Sequence, residues 1–277
     1  MTTGQEWHTW LDPLREIAEE AGEKILEVYR SSDFAVEAKS DDTPLTRADR
    51  AAHQTIAAGL RQLAPQLPQL SEEGDDIAAA TRRGWSSYWL IDPLDGTREF
   101  IKRNGEFTVN IALIDNGRPV LGVVHAPDLA TTWSAAADDQ AYRYAEGGKQ
   151  SITTRPAQPP LTVVVSRSHR EAAVEHILAR LGDYRELAVG SSLKICQVAQ
   201  GEADIYPRFG PTCEWDTGAA QCVLEAAGGA IMDIGLAPLC YNQQDSLLNS
   251  DFVAIGDNGY DWRRVVEGLE WEQRLSG

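Results

Sequence analysis

The sequence predicts an α/β protein of the α+β kind in two halves. An antiparallel sheet packed on helices comes first, and a stretch of alternating strands and helices follows. Three observations carry this. Residues 107–145 hold four short apolar strands, two of them flanking the hairpin signal DNGR at 115–118. Residues 153–160, TTRPAQPP, carry three prolines in eight positions and read as a linker. Beyond them strand and helix patterns alternate. The expected division is 1–155 and 156–277.

The elements follow in order. Residues 11–30 set Leu14, Ile17, Ala18, Ala21, Ile25 and Val28 at helical spacing. Trp7 and Trp10 fit the face of that helix. FAVEA (34–38) alternates as a strand does. SDDTPLTRADR (40–50) is a polar loop entering a second helix, with the stripe Ala48, Ala52, Ile56, Leu60, Leu63 and a stop at Pro65. LPQLSEE (67–73) is a short strand ending on acids. YWLIDP (88–93), FTVNIALI (107–114), PVLGVVHA (119–126), TTWSAA (131–136) and AYRYA (141–145) are strands. After the linker come strand 161–166, helix 169–181, strand 184–189, helix 192–200, strand 203–209, helix 216–227, strand 230–234, strand 252–256 and helix 260–271.

Composition bounds the function. A formal net charge of −17 opposes binding to nucleic acid polymers or anionic membrane surfaces. A small anionic substrate then needs local positive charge, from metal ions or from placed Arg and Lys side chains. No run is long enough to span a membrane, and the N-terminal stretch lacks the basic start and apolar core of a secretory signal. The four cysteines, Cys196, Cys213, Cys222 and Cys240, form no CxxC and no zinc spacing. They read as reduced and mostly buried, in a cytoplasmic protein. His8, His53, His125 and His176 read as structural or exposed.

The acids gather at element ends. Glu72 and Glu73 close one strand, Asp92 and Asp95 another; Asp49 lies in the first turn of the second helix and Asp216 opens a late one. Carboxylates converging on one place repel unless a cation lies among them. A set of oxygens without His or Cys favours Mg²⁺, then Mn²⁺ or Ca²⁺. In WLIDPLDGTREF (89–100), Pro93 stiffens the chain so that Asp92, the Leu94 carbonyl and Asp95 aim at one centre. Gly96 permits close approach, and the amides of Gly96 and Thr97 would face an anion. Each piece alone has a plainer reading: an Asp-Pro turn and an Asp-Gly turn, a solvated SEE loop, an Asp216 helix cap. Their order and joint occurrence favour a site.

That order resembles the inositol monophosphatase superfamily of metal-dependent, lithium-sensitive phosphatases. The segments DDTPLTRAD (41–49), LSEEGD (70–75), IDPLDGTREFIKRNGEFTVNIALI (91–114), VVSRSH (164–169) and GSSLKICQVAQGEADIYPRFGPTCEWDTGAA (190–220) are similar to its CysQ-type 3′(2′),5′-bisphosphate nucleotidase branch. The resemblance implies a layered α/β/α/β/α sandwich with the site between the halves, the first half binding metal and the second selecting substrate. It implies two or three Mg²⁺ ions, replaceable by Mn²⁺, on Glu72 (rather than Glu73), Asp92, the Leu94 carbonyl, Asp95 and Asp216. Asp49, Thr97 and Glu72 are the implied catalytic residues, with Asp49 orienting a water and Thr97 positioning it. Gly96, Thr97, Ser191, Lys194, Arg208, His169 and Asp216 are the implied substrate-binding residues.

The implied reaction is hydrolysis of 3′-phosphoadenosine 5′-phosphate to AMP and phosphate, in sulfur metabolism, by a monomer or homodimer. An inositol or sugar phosphatase on the same scaffold is the alternative, and an inactive metal- or nucleotide-binding protein the remote one. Lys102 and Arg103, basic in an acidic chain, either decorate a loop, guide an anion or meet a second subunit. A loose association with the inner face of the cell membrane stays open beside the cytoplasmic reading.

Overall fold

A computed structural model of the chain describes residues 7–31, 37–38, 44–45, 47–166 and 172–267. A 3-10 turn at His8–Trp10 leads into α1 (Leu11–Tyr29); the short pair β1 (Glu37–Ala38) and β2 (Pro44–Leu45) precedes α2 (Arg47–Leu63). Next come β3 (Gln69–Ser71), α3 (Ala79–Arg82), β4 (Ser87–Asp95), α4 (Thr97–Ile101), β5 (Thr108–Asp115), β6 (Arg118–Ala126), β7 (Thr131–Ala136), β8 (Ala141–Ala145) and β9 (Gly148–Ile152). The second half holds β10 (Leu161–Ser166), α5 (Ala172–Leu181), β11 (Tyr184–Val189), α6 (Leu193–Ala199), β12 (Ile205–Arg208), α7 (Glu214–Ala226), β13 (Ala230–Asp233), β14 (Phe252–Ile255) and α8 (Arg263–Val266).

Two sheets organise these elements. The larger has seven strands in the order β3-β4-β5-β6-β7-β8-β9, and the smaller has five in the order β11-β10-β12-β14-β13. The larger sheet is not purely antiparallel as expected, because β3 runs parallel to β4. In the smaller one β10 is parallel to β11 and β12, while β14 is antiparallel to β12 and β13.

The central strands of the larger sheet are apolar on both faces, and strict alternation divides them between two cores. Trp89 and Ile91 of β4, with Val109, Ile111 and Leu113 of β5, pack on α1 and α2. Tyr88 and Leu90, with Ala112 and Ile114, face α6 and α7, which the smaller sheet covers from the other side. On its outer face, Leu161, Val163 and Val165 of β10 meet α5 and α8. The result is the expected α/β/α/β/α layering. Trp10 stacks near Trp89 with ring centroids 6.0 Å apart, as the helix-face reading requires.

The departures have physical reasons. β9 escapes the sequence pattern because GKQSI is an exposed edge strand with only Ile152 buried. α3 and α4 are too short to display a period. Of the helix expected over 260–271, the described part is helical only at Arg263–Val266; positions 268–271 lie outside the described residues, as do 34–36 and 169–171. The linker is stitched down. Arg155 grips buried Asp204 with two bonds of 2.8 Å, Thr154 N donates to Ala227 O, and Ala157 N donates to Asp257. All four cysteines are free; Cys196 and Cys222 are buried, Cys213 half-buried and Cys240 exposed.

α7 sits unusually close to β6. A Cβ at Gly122 would land against the Ala219 carbonyl and 2.7 Å from Cys222 Cβ, so the helix axis rests where only glycine fits. Gly122→Ala should cost about 1–3 kcal/mol in urea unfolding, since backbone must move. An unchanged midpoint would mean that α7 is loosely seated.

His125 is structural. It is buried against Gly22 of α1, and its Nδ1 lies 2.9 Å from Thr132 Oγ1. Burial pushes its pKa down to about 4, against the pull of Glu19. The unfolded chain protonates near pH 6.5, so between these values it holds more protons than the folded chain. Stability is therefore full above pH 6.5 and falls as pH drops toward 4. Chemical denaturation at pH 7 and pH 5 should show a difference that shrinks by about 2 kcal/mol in His125→Gln.

Candidate active site

β4 solves the problem of aiming two acids three residues apart. On a regular strand Asp92 and Asp95 would face opposite sides. Here Asp92 pairs with Asn110 and Asp95 with Thr108, so three steps on β4 match two on β5. The extra residue is a bulge, which returns Asp95 to the side of Asp92. Pro93 lies inside it, where its missing N–H costs no ladder bond. Leu94 N donates back to Asp92 Oδ1 at 3.0 Å and steadies the turn.

α7 supplies the third acid. Asp216 is the third residue of that helix and caps it, accepting from Cys213 N at 2.9 Å. The cap reading and the site reading are thus both true. Carboxylate oxygens of Asp92, Asp95 and Asp216 all lie within 4.8 Å of one another. Asp92 is buried, and that burial, with the charges of Glu72, Asp95 and Asp216, holds its carboxyl well above the usual range. Burial, then Asp95, does the same to Asp216, against the Cys213 N–H and Arg208.

Glu72 joins from β3. Ser71 pairs in parallel with Ile91, so the next residues, Glu72 and Asp92, stand side by side. Glu72 N donates to Ile91 O at 3.1 Å, and its side chain shares a hydrogen bond with Asp92. It lies outside the trio that meets within 4.8 Å. Glu73 acts on His53, which favours Glu72 as the inward member of the pair. Asp49, buried in the first turn of α2, stands 3.3 Å from Thr97 Oγ1; the Leu94 carbonyl is 3.3 Å from the same hydroxyl. Gly96 has φ +87°, and a Cβ there would come 3.0 Å from Glu106 O and 3.2 Å from Ser191 Cβ.

The second half meets these acids at the turn before α6. Asp95 Oδ2 accepts from Ser191 Oγ at 2.7 Å and from Ser192 N at 2.6 Å. Ser191 was expected among the substrate-binding residues; its hydroxyl is engaged with Asp95 and lies 2.5 Å from Thr108 Oγ1. Lys194 Nζ donates to Ser191 O at 2.8 Å, and burial lowers its pKa against the pull of Asp95 and Asp216. Arg208, at the end of β12, donates to Pro211 O and acts electrostatically on Asp216 and Lys194. His169 lies outside the described residues. Arg103 turns away to Ser31 O at 2.8 Å and over the Tyr29 ring, while Lys102 lies 3.5 Å from Glu99.

Three further residues were not foreseen. Buried Thr108 and Asn110 hold the Ser192 hydroxyl at 2.7 and 2.8 Å, and Glu106 accepts from Gly190 N at 2.8 Å. The signal was present: Thr108 and Asn110 are polar at positions i and i+2 of an otherwise apolar strand.

Such a site suits a hard cation. Its donors are oxygens, its acids are held near one another against repulsion, and two of them are reluctant to ionise without a positive partner.

Known proteins resemble this chain in sequence and fold. The profile of the inositol monophosphatase family matches residues 6–260. A 3′(2′),5′-bisphosphate nucleotidase CysQ from Shigella flexneri is 50% identical over 243 residues, covering 87% of this chain and 98% of that protein. The CysQ protein of Escherichia coli K12 is 49% identical over the same span. A crystal structure of CysQ from Bacteroides thetaiotaomicron superposes with TM-score 0.79 at 41% identity, covering 88% of this chain and 96% of that one. An inositol monophosphatase from Anabaena, 23% identical, shares the fold with TM-score 0.72, covering 98% of this chain and 97% of that one.

Proposed function

This chain belongs to the inositol monophosphatase family, and we propose that it hydrolyses the 3′-phosphate of 3′-phosphoadenosine 5′-phosphate, giving AMP and phosphate in sulfur metabolism. The observation that carries the proposal is the Asp92–Asp95–Asp216 cluster, in a chain half identical to bisphosphate nucleotidases. Glu72, Asp92, the Leu94 carbonyl, Asp95 and Asp216 would hold two or three Mg²⁺ ions, with Mn²⁺ able to substitute. When bound, the ions would neutralise the acids, acidify water and offset charge on the phosphate ester.

The chain's own groups do the rest. Asp49 accepts the hydrogen bond of the Thr97 hydroxyl, which leaves a lone pair of Thr97 Oγ1 to accept a hydrogen bond from the attacking water. The Thr97 and Gly96 amides, with Ser191, Lys194, Arg208, His169 and Asp216, would take the substrate. Lys194 and Arg208 set positive charge beside the acids of a chain whose formal net charge is −17, as an anionic substrate requires. In this reading residues 1–155 supply all the metal ligands but Asp216, which joins them from 156–277, the half that selects the nucleotide. No helix among the described residues is long and apolar enough to cross a membrane. On this reading the protein works in the cytoplasm.

Phosphate release from 3′-phosphoadenosine 5′-phosphate and from inositol monophosphates, each with and without Mg²⁺, tests the proposal. The nucleotide should be strongly preferred and the reaction should need the metal. Preference for the inositol phosphates would replace this reading with the alternative on the same scaffold.

A further inference from the structure

Asp216 needs holding. It is pressed toward Asp92 and Asp95 from the first turn of α7, which it caps. That turn is gripped by the segment 241–249. Glu214 N donates to Leu247 O at 2.8 Å, and Cys213 bridges Leu248. The Asn249 amide donates to Cys213 O at 2.8 Å and to Thr217 Oγ1 at 3.2 Å. Asn242 N donates to both carboxylate oxygens of Glu214, at 2.8 and 3.0 Å.

The segment is pinned in turn by Arg82. This guanidinium is among the largest fully buried side chains of the protein, at 1% exposure. It donates to Asn242 Oδ1 at 2.7 Å and to the Asp245 carbonyl, while the Asn242 amide returns a bond of 2.6 Å to Arg82 O. A buried cation with these fixed bonds costs a great deal to misplace. Arg82 also lies on the connection from β3 to β4, which starts at Glu72 and leads into the strand that carries Asp92. Through Asn242, which holds Glu214, this side chain links the β3–β4 connection to the first turn of α7.

We infer that Arg82 and Asn242 are positioning residues for the metal site, bracing the first turn of α7 so that Asp216 stays within reach of Asp92 and Asp95. The inference rests on the proposed metal-dependent phosphatase. The brace acts through Asp216 and touches neither substrate nor metal. Outer partners of metal ligands commonly set affinity by about 10–100-fold.

The test is direct Mg²⁺ binding by calorimetry, well below the melting temperature, on the wild type, Arg82→Gln, Asn242→Ala and the control Val165→Ala. Val165 is buried on the far face of the smaller sheet, so its truncation should lower the melting temperature alone. The two brace variants should bind Mg²⁺ about 10–100-fold more weakly, with Arg82→Lys intermediate, and excess Mg²⁺ should restore much of their turnover. An unchanged binding constant in the folded brace variants overturns the inference. So does an equal weakening in Val165→Ala. Should the brace variants fail to fold, the half-buried Asn249→Ala decides in the same way. A wild type that binds no divalent cation would instead overturn the metal-dependent reading itself.

Discussion

Asp92→Asn should lower turnover by about 10³-fold or more, and it should not lower the melting temperature of the metal-free protein. The two effects have one cause. Asp92 is buried beside Glu72, Asp95 and Asp216, and its carboxyl titrates well above the usual range. An acid raised on folding contributes stability below its unfolded pKa, and loses it as pH rises through the folded value. At neutral pH, without metal, this side chain therefore works against the fold. Asparagine keeps the oxygen that accepts from Leu94 N and deletes the charge.

The metal-bound comparison reverses the order. Mg²⁺ that binds only the folded state should raise the wild-type melting temperature with concentration, and this rise should vanish in Asp92→Asn. Thermal melts of both proteins with and without Mg²⁺, beside phosphate release, make the check. A metal-free variant that melts far below the wild type would make Asp92 a structural residue.

Much of this was legible because the motifs are local. The turn from Asp92 to Thr97 announces itself by Pro93 and Gly96, and the strands beside it by their apolar runs. The long-range parts were not. Nothing in SEE says that β3 lies parallel to β4, yet that register is what sends Glu72 out beside Asp92. The sequence sets Ser191 at a helix start beside Lys194 and gives no sign of Asp95. Only the fold shows its hydroxyl bound to Asp95, 96 positions away in sequence. The Arg82 brace was invisible for the same reason, since its partner Asn242 is 160 positions distant and neither belongs to a motif. Periodicity reports which face is buried; it does not report which buried polar groups find each other.

Thr97→Ala and Asp49→Asn should each lower kcat by about 10²–10³-fold, and the double variant should be little worse than either. The reasoning is geometric. Thr97 Oγ1 lies 3.3 Å from Asp49 Oδ1 and equally far from the Leu94 carbonyl. A hydroxyl has one proton, and the carboxylate is the stronger acceptor. Donating that hydrogen bond to Asp49 leaves the threonine oxygen as an acceptor toward the attacking water. Losing either partner breaks the same relay, so the losses overlap instead of adding. Neither residue is in the trio of close acids, so Mg²⁺ affinity should change much less than kcat, and KM should stay within a few-fold. Thr97→Ser, which retains the hydroxyl, should recover most of the rate. Losses that multiply in the double variant would mean that Asp49 and Thr97 serve separate steps. A Thr97→Ser as slow as the alanine variant would show that the methyl group, and not the hydroxyl, was the part that mattered.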